Sequence, residues 1–407
     1  MVEVLDLADV RHASGKDATA SRARSGTAPP GGSPLVPLPA IDAEQWRALS
    51  ARAIEPNGYY LADWELAVNA SAPGRTGASA LSAWSEEAPA QLIGLLPVVS
   101  LWRAYQIPLP ALVSAHPYGT LCTPPLDRDM AIDAAGRLMR AAREAGARAL
   151  VLREVSLHGA AMKTFAEVLR HEGLQPRVLQ SHLRARLDAT READELLRDA
   201  LGGKKLKELR RQRHRLAEHG TVRFDVARAP YEVTVAIETF LALEASGWKG
   251  DRGTALKQTE GDAAFIRRAT TALARTGQCE IASLYAGETP VAAGIVLRHQ
   301  DRAFFFKLGI DERFAKYSPG VQLTLELTRH LCADPAIASA DSTAGPDHPM
   351  INPIWRGRLA IGDVLIPLRR NDPVVTAIHS ALVLRQSMRN LARDGLRFVH
   401  SRGKRLR

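Results

Sequence analysis

At 407 residues, with 46% hydrophobic and 24% charged side chains, the chain is too long for one ordinary core and carries enough apolar material for two. The net charge of +10 is concentrated: 202–215 holds seven basic residues against Glu208, and 368–407 holds ten against Asp372 and Asp394. That excludes a uniformly cationic nucleic-acid coat, because the rest of the chain is acidic on balance.

From the amino terminus, 1–11 (MVEVLDLADVR) has acids where a secretory signal has a basic end, and no run of roughly 18 apolar residues follows anywhere, so a cytoplasmic setting is expected. Cys122, Cys279 and Cys332 are isolated and make neither a disulfide framework nor a metal-ligand spacing, so no metal is expected. Residues 1–40 lack periodicity and are rich in Gly, Ser and Pro, which predicts a disordered leader. Short helices are expected over 43–52 and 59–68, then paired strands over 78–84 and 91–101. The proline- and glycine-bearing stretch 105–125 reads as irregular. A helix over 130–144, a strand over 147–154 (ARALVLRE), a helix over 162–171 and a strand over 178–187 complete the first half.

The second half opens with a long helix over 191–219, whose leucines form a stripe and which Gly220 ends. Its basic face (Lys204, Lys205, Lys207, Arg210, Arg211) is either a solvated surface or a contact for a polyanion such as tRNA or a phosphate-linked sugar. A strand over 222–227 and helices over 231–246 and 265–275 precede a meander of three strands, 279–284, 290–298 and 302–310. At 316–322 (KYSPGVQ), Ser318 reads as an N-cap and Pro319 as the first residue of a helix that leucines carry to 331. The free amides of Gly320, Val321 and Gln322, with the helix dipole behind them and Lys316 nearby, suit an anion. A strand (337–341), a proline-rich loop (345–355), a strand or hairpin (359–367) and an amphipathic basic tail helix (374–398) follow.

The order of hairpin, strand, glycine-bearing helix start, helix and further strand resembles the acyl-CoA-binding half of GNAT acyltransferases. Ala245-Ser246-Gly247-Trp248-Lys249-Gly250, Gly253-Thr254-Ala255-Leu256, Ser318-Pro319-Gly320 and Asp341-Ser342-Thr343-Ala344-Gly345 look more narrowly like GNAT-like acetyltransferases associated with bacterial cellulose or exopolysaccharide synthesis. The likeness covers roughly 45–370. Aligned on Lys316, Pro319 and Val321 stand where the usual phosphate loop has two glycines. The weaker repeat of the same element order in 78–187 suggests tandem halves, an arrangement also seen in Fem-type aminoacyltransferases. The resemblance implies a mixed α+β fold of two GNAT-like lobes, 41–190 and 191–370, with the donor site in the second and a basic tail at 371–407.

It also implies acetyl-CoA as donor, and an amine or a hydroxyl of a sugar or polysaccharide precursor as acceptor. Acyl transfer then needs a proton acceptor: Asp341 closes a strand beside the phosphate helix, and His348 is the histidine of the following loop. Each has a blander reading, Asp341 as a cap of the following turn and His348 as a surface residue. Lys307 on the last meander strand can steady an anionic intermediate if it faces the cleft. Trp248, Lys249 and Arg252, in a glycine-rich loop, are candidates for acceptor contact or for a lid. Two rivals stand beside this reading: a Fem-type enzyme using aminoacyl-tRNA, and a non-catalytic scaffold of a polysaccharide-synthesis complex.

Overall fold

A computed structural model describes residues 33–247 and 253–403, with side chains up to residue 391. The first half comprises β1 (Val36–Pro37), α1 (Ala43–Ala51), α2 (Ala62–Ser71), β2 (Ser79–Trp84), β3 (Leu92–Ser100), α3 (Leu101–Tyr105), β4 (Ala111–Ser114), α4 (Ala131–Glu144), β5 (Ala149–Ser156), α5 (Ala160–His171) and β6 (Arg177–Asp188). The second comprises α6 (Ala193–Leu216), β7 (Val222–Ala227), α7 (Pro230–Ser246), α8 (Glu260–Ala274), β8 (Cys279–Ala286), β9 (Thr289–His299), β10 (Arg302–Ile310), α9 (Pro319–Cys332), β11 (Ser339–Asp341), β12 (Gly357–Pro367) and α10 (Pro373–Gly403). The fold is mixed α/β, with a large, mostly antiparallel sheet flanked by helices.

Among the described residues twelve strands form one sheet, in the order β1-β2-β3-β4-β5-β12-β6-β11-β10-β9-β8-β7. Each half contributes one parallel pair, β4 with β5 and β10 with β11. Each half then gives its last strand to the other: β12 lies between β5 and β6, and β6 pairs with β11. This exchange makes the halves one body, since neither sheet is complete without a strand from beyond the 190/191 boundary.

Of the five buried apolar clusters among the described residues, the three largest follow the layers. Leu81, Ile93, Leu138, Leu150 and Phe165 fill the first half, and Leu197, Leu209, Leu323, Leu327 and Trp355 pack α6 and α9 onto the second. The third core is shared, since Tyr59, Leu61 and Trp64 of the first half lie among Phe240, Phe265, Leu297 and Phe304 of the second.

The structure departs from the expected elements in three places. The end of the supposed leader is ordered: β1 pairs with β2 and Leu38 is fully buried, so the leader prediction fails from Val36 onward. The stretch read as irregular contains β4, a four-residue strand whose flanking prolines mask it. The long helix is broken at Gly202, where φ is +71° and ψ +162°, a conformation that glycine adopts without a Cβ clash.

Candidate active site

β4 and β5 run parallel from Ala111 opposite Ala149 to Val113 opposite Val151, and then part. Arg153 holds the fork: its amide donates to Ser114 Oγ at 2.9 Å, and its Nε and Nη2 donate to the Ser114 carbonyl at 3.1 and 2.8 Å. The next residue, Glu154, has φ +47°. A non-glycine residue in that region costs about 1–3 kcal/mol and persists only where its surroundings hold it. Here the hold is Asp363 on β12, whose Oδ1 accepts from the Glu154 amide at 2.9 Å while its Oδ2 accepts from Gln180 Nε2 at 2.6 Å. Asp363 stands at a bulge in the β12 ladders to both neighbours, which turns its side chain toward β5 and β6.

The strained residue breaks the two-residue alternation of a strand, so Arg153 and Glu154 both face one cleft of about 640 Å³. The cleft is closed by β6 through His182, by β12 through Asp363, and by α10 through Arg385 and Arg389. Burial, reinforced by the Asp363 carboxylate, pushes the Glu154 carboxyl up to about 7. His182 Nε2 lies 3.9 Å from Glu154 Oε2, and burial together with Arg184 lowers its affinity for a proton. His116 is held down at about 4 by burial and by Arg153, and its Nδ1 accepts from the Tyr118 amide at 3.1 Å. Burial raises the Cys122 thiol to about 12, so at neutral pH it is no nucleophile. The arrangement can therefore take up a proton near neutrality from a substrate held among arginines.

The residues expected from sequence fall elsewhere, and most are committed to the fold. Asp341 is 1% exposed and paired with the fully buried Arg184, and its Oδ1 accepts from the Thr343 amide at 2.9 Å. Arg184 Nη1 in turn donates to Thr120 O and Oγ1 at 2.6 and 3.0 Å. With both oxygens engaged, Asp341 ties β11 to β6 and to the turn that follows it. His348 Nδ1 accepts from the amides of Met350 and Ile351 at 3.3 and 3.4 Å, which makes it the lock of a turn. Lys307 Nζ sits 3.1 Å from Oε1 of the fully buried Glu244 and so balances an internal charge.

The helix start is also corrected. Ser318 has φ +54° and its side chain makes no cap. Gly320 is buried, and a Cβ there would meet Leu308 Cδ2 at 2.9 Å, Ile310 Cγ2 at 3.3 Å and Met350 Sδ at 3.4 Å. The missing side chain makes room for the protein itself. Gln322 is buried with Nε2 donating to Leu209 O at 2.8 Å, Val321 packs at the edge of the same core, and Lys316 Nζ lies 4.9 Å over the Tyr317 ring.

Trp248, Lys249 and Arg252 lie outside the described residues. On α6, Lys205 pairs with Glu208 at 3.1 Å, and Arg210 borders a groove where Arg213–Glu326 and Arg329–Asp194 pairs mix both signs. Lys204, Lys207 and Arg211 lie along the same helix, away from Glu154 in the fold. Glu154 itself escaped the sequence reading. Its signal was the charged pair Arg153-Glu154 directly after the apolar run 149–152, where alternation stops.

Residues 203–348 match the family described as Acetyltransferase (GNAT) domain. That stretch, about a third of the chain, is similar to GNAT domains. Such a domain supports acyl transfer as the chemistry, and its fold typically uses acyl-CoA. The C-terminal domain (DUF2156) of a putative lysylphosphatidylglycerol synthetase from Agrobacterium fabrum shares 15% identity, with 84% of this chain and 96% of that one covered and a TM-score of 0.52. FemX shares 10% identity, with 83% and 98% covered and a TM-score of 0.54. At such identities the likeness is one of fold. No curated protein matches the chain. Among the described residues no helix is long and apolar enough to cross a membrane, and no group of three His, Cys, Asp or Glu is placed to hold a metal.

Proposed function

We propose that this GNAT-fold chain is an acyltransferase whose chemistry takes place in the cleft at Glu154. An acceptor amine or hydroxyl attacks the carbonyl of an acyl ester or thioester, its N–C or O–C bond forms as the ester or thioester bond breaks, and the acceptor's proton passes to the Glu154 carboxylate. The leaving oxygen or sulfur departs with the donor's carrier. One observation supports this reading above the others: a carboxyl raised to about 7, on a strained backbone, in the cleft between the halves. Asp363 is a positioning residue that fixes the Glu154 backbone and raises its proton affinity. Acetyl-CoA remains the first donor to be assayed, with amines and sugar or exopolysaccharide precursors as acceptor classes.

A second donor is favoured by Arg385 and Arg389 at the cleft and by the basic face of α6: an aminoacyl ester on tRNA, as in the Fem-type reading. The deciding experiment offers the purified chain labelled acetyl-CoA and labelled aminoacyl-tRNA in parallel with a panel of amines and sugars. Transfer from either donor, lost in Glu154→Gln, supports the proposal. Transfer that survives Glu154→Gln overturns the role of the cleft, and no transfer from either donor favours a scaffold.

A further inference from the structure

A second cleft, of about 740 Å³, opens where the two halves meet along the same central strands. Its walls are the end of β5 with the start of α5, Arg186 on β6, Arg358 at the start of β12, Arg128 before α4, and the β9–β10 turn with Arg302. We infer that this cleft is a binding site for a phosphate or diphosphate group, separate from the cleft at Glu154.

The charges carry the inference. Arg128 donates to the carbonyls of Arg52 and Ala51, at 3.3 and 3.5 Å, and Arg358 Nη1 to those of Trp355 and Gly357, at 2.9 Å each. Arg302 Nε reaches Ser339 Oγ at 3.4 Å. These acceptors are neutral, and among the described residues none of Arg128, Arg186, Arg302 and Arg358 forms an ion pair within 4.0 Å. Nη1 of Arg302 is buried and meets no acceptor among the described residues. Arg302, which lines the cleft, thus keeps hydrogen-bonding capacity that no acceptor of the described residues uses. Two acids share the lining: Glu55, whose Oε2 is turned to the Ala161 amide at 3.1 Å, and Asp301 in the turn. The Arg302 charge acts on Glu55, and against the two acids the four arginines leave the lining positive on balance, with planar forks that suit the oxygens of a phosphate.

The cleft is also preformed. Gln300, at φ +51°, donates from Nε2 to Ala53 O at 2.8 Å, which fastens the β9–β10 turn to the first half. His299 beside it is buried, with Nδ1 accepting from the Asn57 amide and Nε2 donating to Ser50 O, each at 2.8 Å. Arg186 and Arg358 are on paired strands, with Arg186 opposite Gly357. The strands that carry Arg186 and Arg358 are thus fixed by their backbone ladder.

The test is calorimetric titration of the full chain with inorganic pyrophosphate at low ionic strength. Binding is expected at one site, weakened at least tenfold by R186Q/R358Q, whose side chains are exposed and do not hold the fold. It is also expected to weaken with added salt, and to be unchanged by E154Q and by K204Q/R210Q on α6. No heat at millimolar pyrophosphate overturns the inference, as does equal binding by R186Q/R358Q or equal loss in K204Q/R210Q. Loss in E154Q would merge the two clefts and overturn their separateness, while the acyl-transfer assay stands or falls by itself. Competition by ADP identifies a nucleotide carrier as the source of the phosphate, and competition by glycerol 3-phosphate a lipid headgroup. Displacement of pyrophosphate by neither restricts the site to the bare anion and overturns a role in binding larger ligands.

Discussion

Where β4 leaves β5, Glu154 sits at φ +47° and faces a cleft; where β10 leaves β11, Thr343 sits at φ +50° and its hydroxyl donates to the Phe305 carbonyl at 2.6 Å. The two forks share a device, a non-glycine residue in the left-handed region just past a short parallel ladder. They differ in what stands beside them. The second fork is filled by the first half: Tyr59 is fully buried, with its ring 5.9 Å from that of Phe304 and 6.0 Å from that of Phe306, and a Cβ on Gly119 would lie 2.2 Å from its Cδ1. Behind it the Arg184–Asp341 pair spans from β6 to β11. The first fork is left open, and its break in alternation presents a carboxyl to a cleft instead of a hydroxyl to a carbonyl. A strained junction thus serves docking in one half and, in our reading, chemistry in the other.

That contrast can be broken by substitution, and the largest effect belongs to the open fork. Glu154→Gln is expected to lower kcat/KM about 100- to 10,000-fold and to flatten the limb of the pH profile that otherwise rises through about 7. An unchanged profile would remove Glu154 from the chemistry. In the closed fork, Arg184→Met leaves Asp341 buried and alone, and should cost about 3–5 kcal/mol in urea unfolding. The double change R184M/D341L should recover much of it. A variant that stays stable but loses turnover would instead return Asp341 to the list of bases.

Gly320→Ala tests whether the second half's helix start is packing or a ligand cradle. Overpacking against Leu308 predicts a loss of about 1–3 kcal/mol with the donor KM unchanged, whereas full stability with a raised KM would restore the cradle. The smallest effect is expected from Asp363→Asn. The Asp363 carboxylate raises the Glu154 proton affinity, so its removal should move the apparent pKa of the rate profile below 7. The Glu154 carboxyl also carries a stability term whose sign follows from its shift. Its affinity in the fold exceeds the ordinary 4.5, so its contribution is complete below about 4.5 and is lost as the pH rises through about 7. The Tm of Glu154→Gln should accordingly fall less than that of the parent across this interval.

Much of the local structure was legible in the residues. The alternation of 279–310 specified the meander, and Pro319 at a first helical position with leucines behind it specified α9. β4 was hidden because four residues between prolines are too few to show a period. The candidate base was half visible, as a charged pair that ends an apolar strand. Its proton affinity was not, because it depends on burial in the folded cleft and then on Asp363, 209 positions away.

The amino-acid order alone therefore determined most of the longer strands and helices, β8 to β10 and α9 among them, since those preferences act over a few residues. Only the tertiary structure decided that β6 and β12 change places between the halves, that Tyr59 closes one fork, and that Leu308 packs against Gly320. Those outcomes depend on which distant surfaces are left to be filled once the layers pack, and local periodicity carries no record of that.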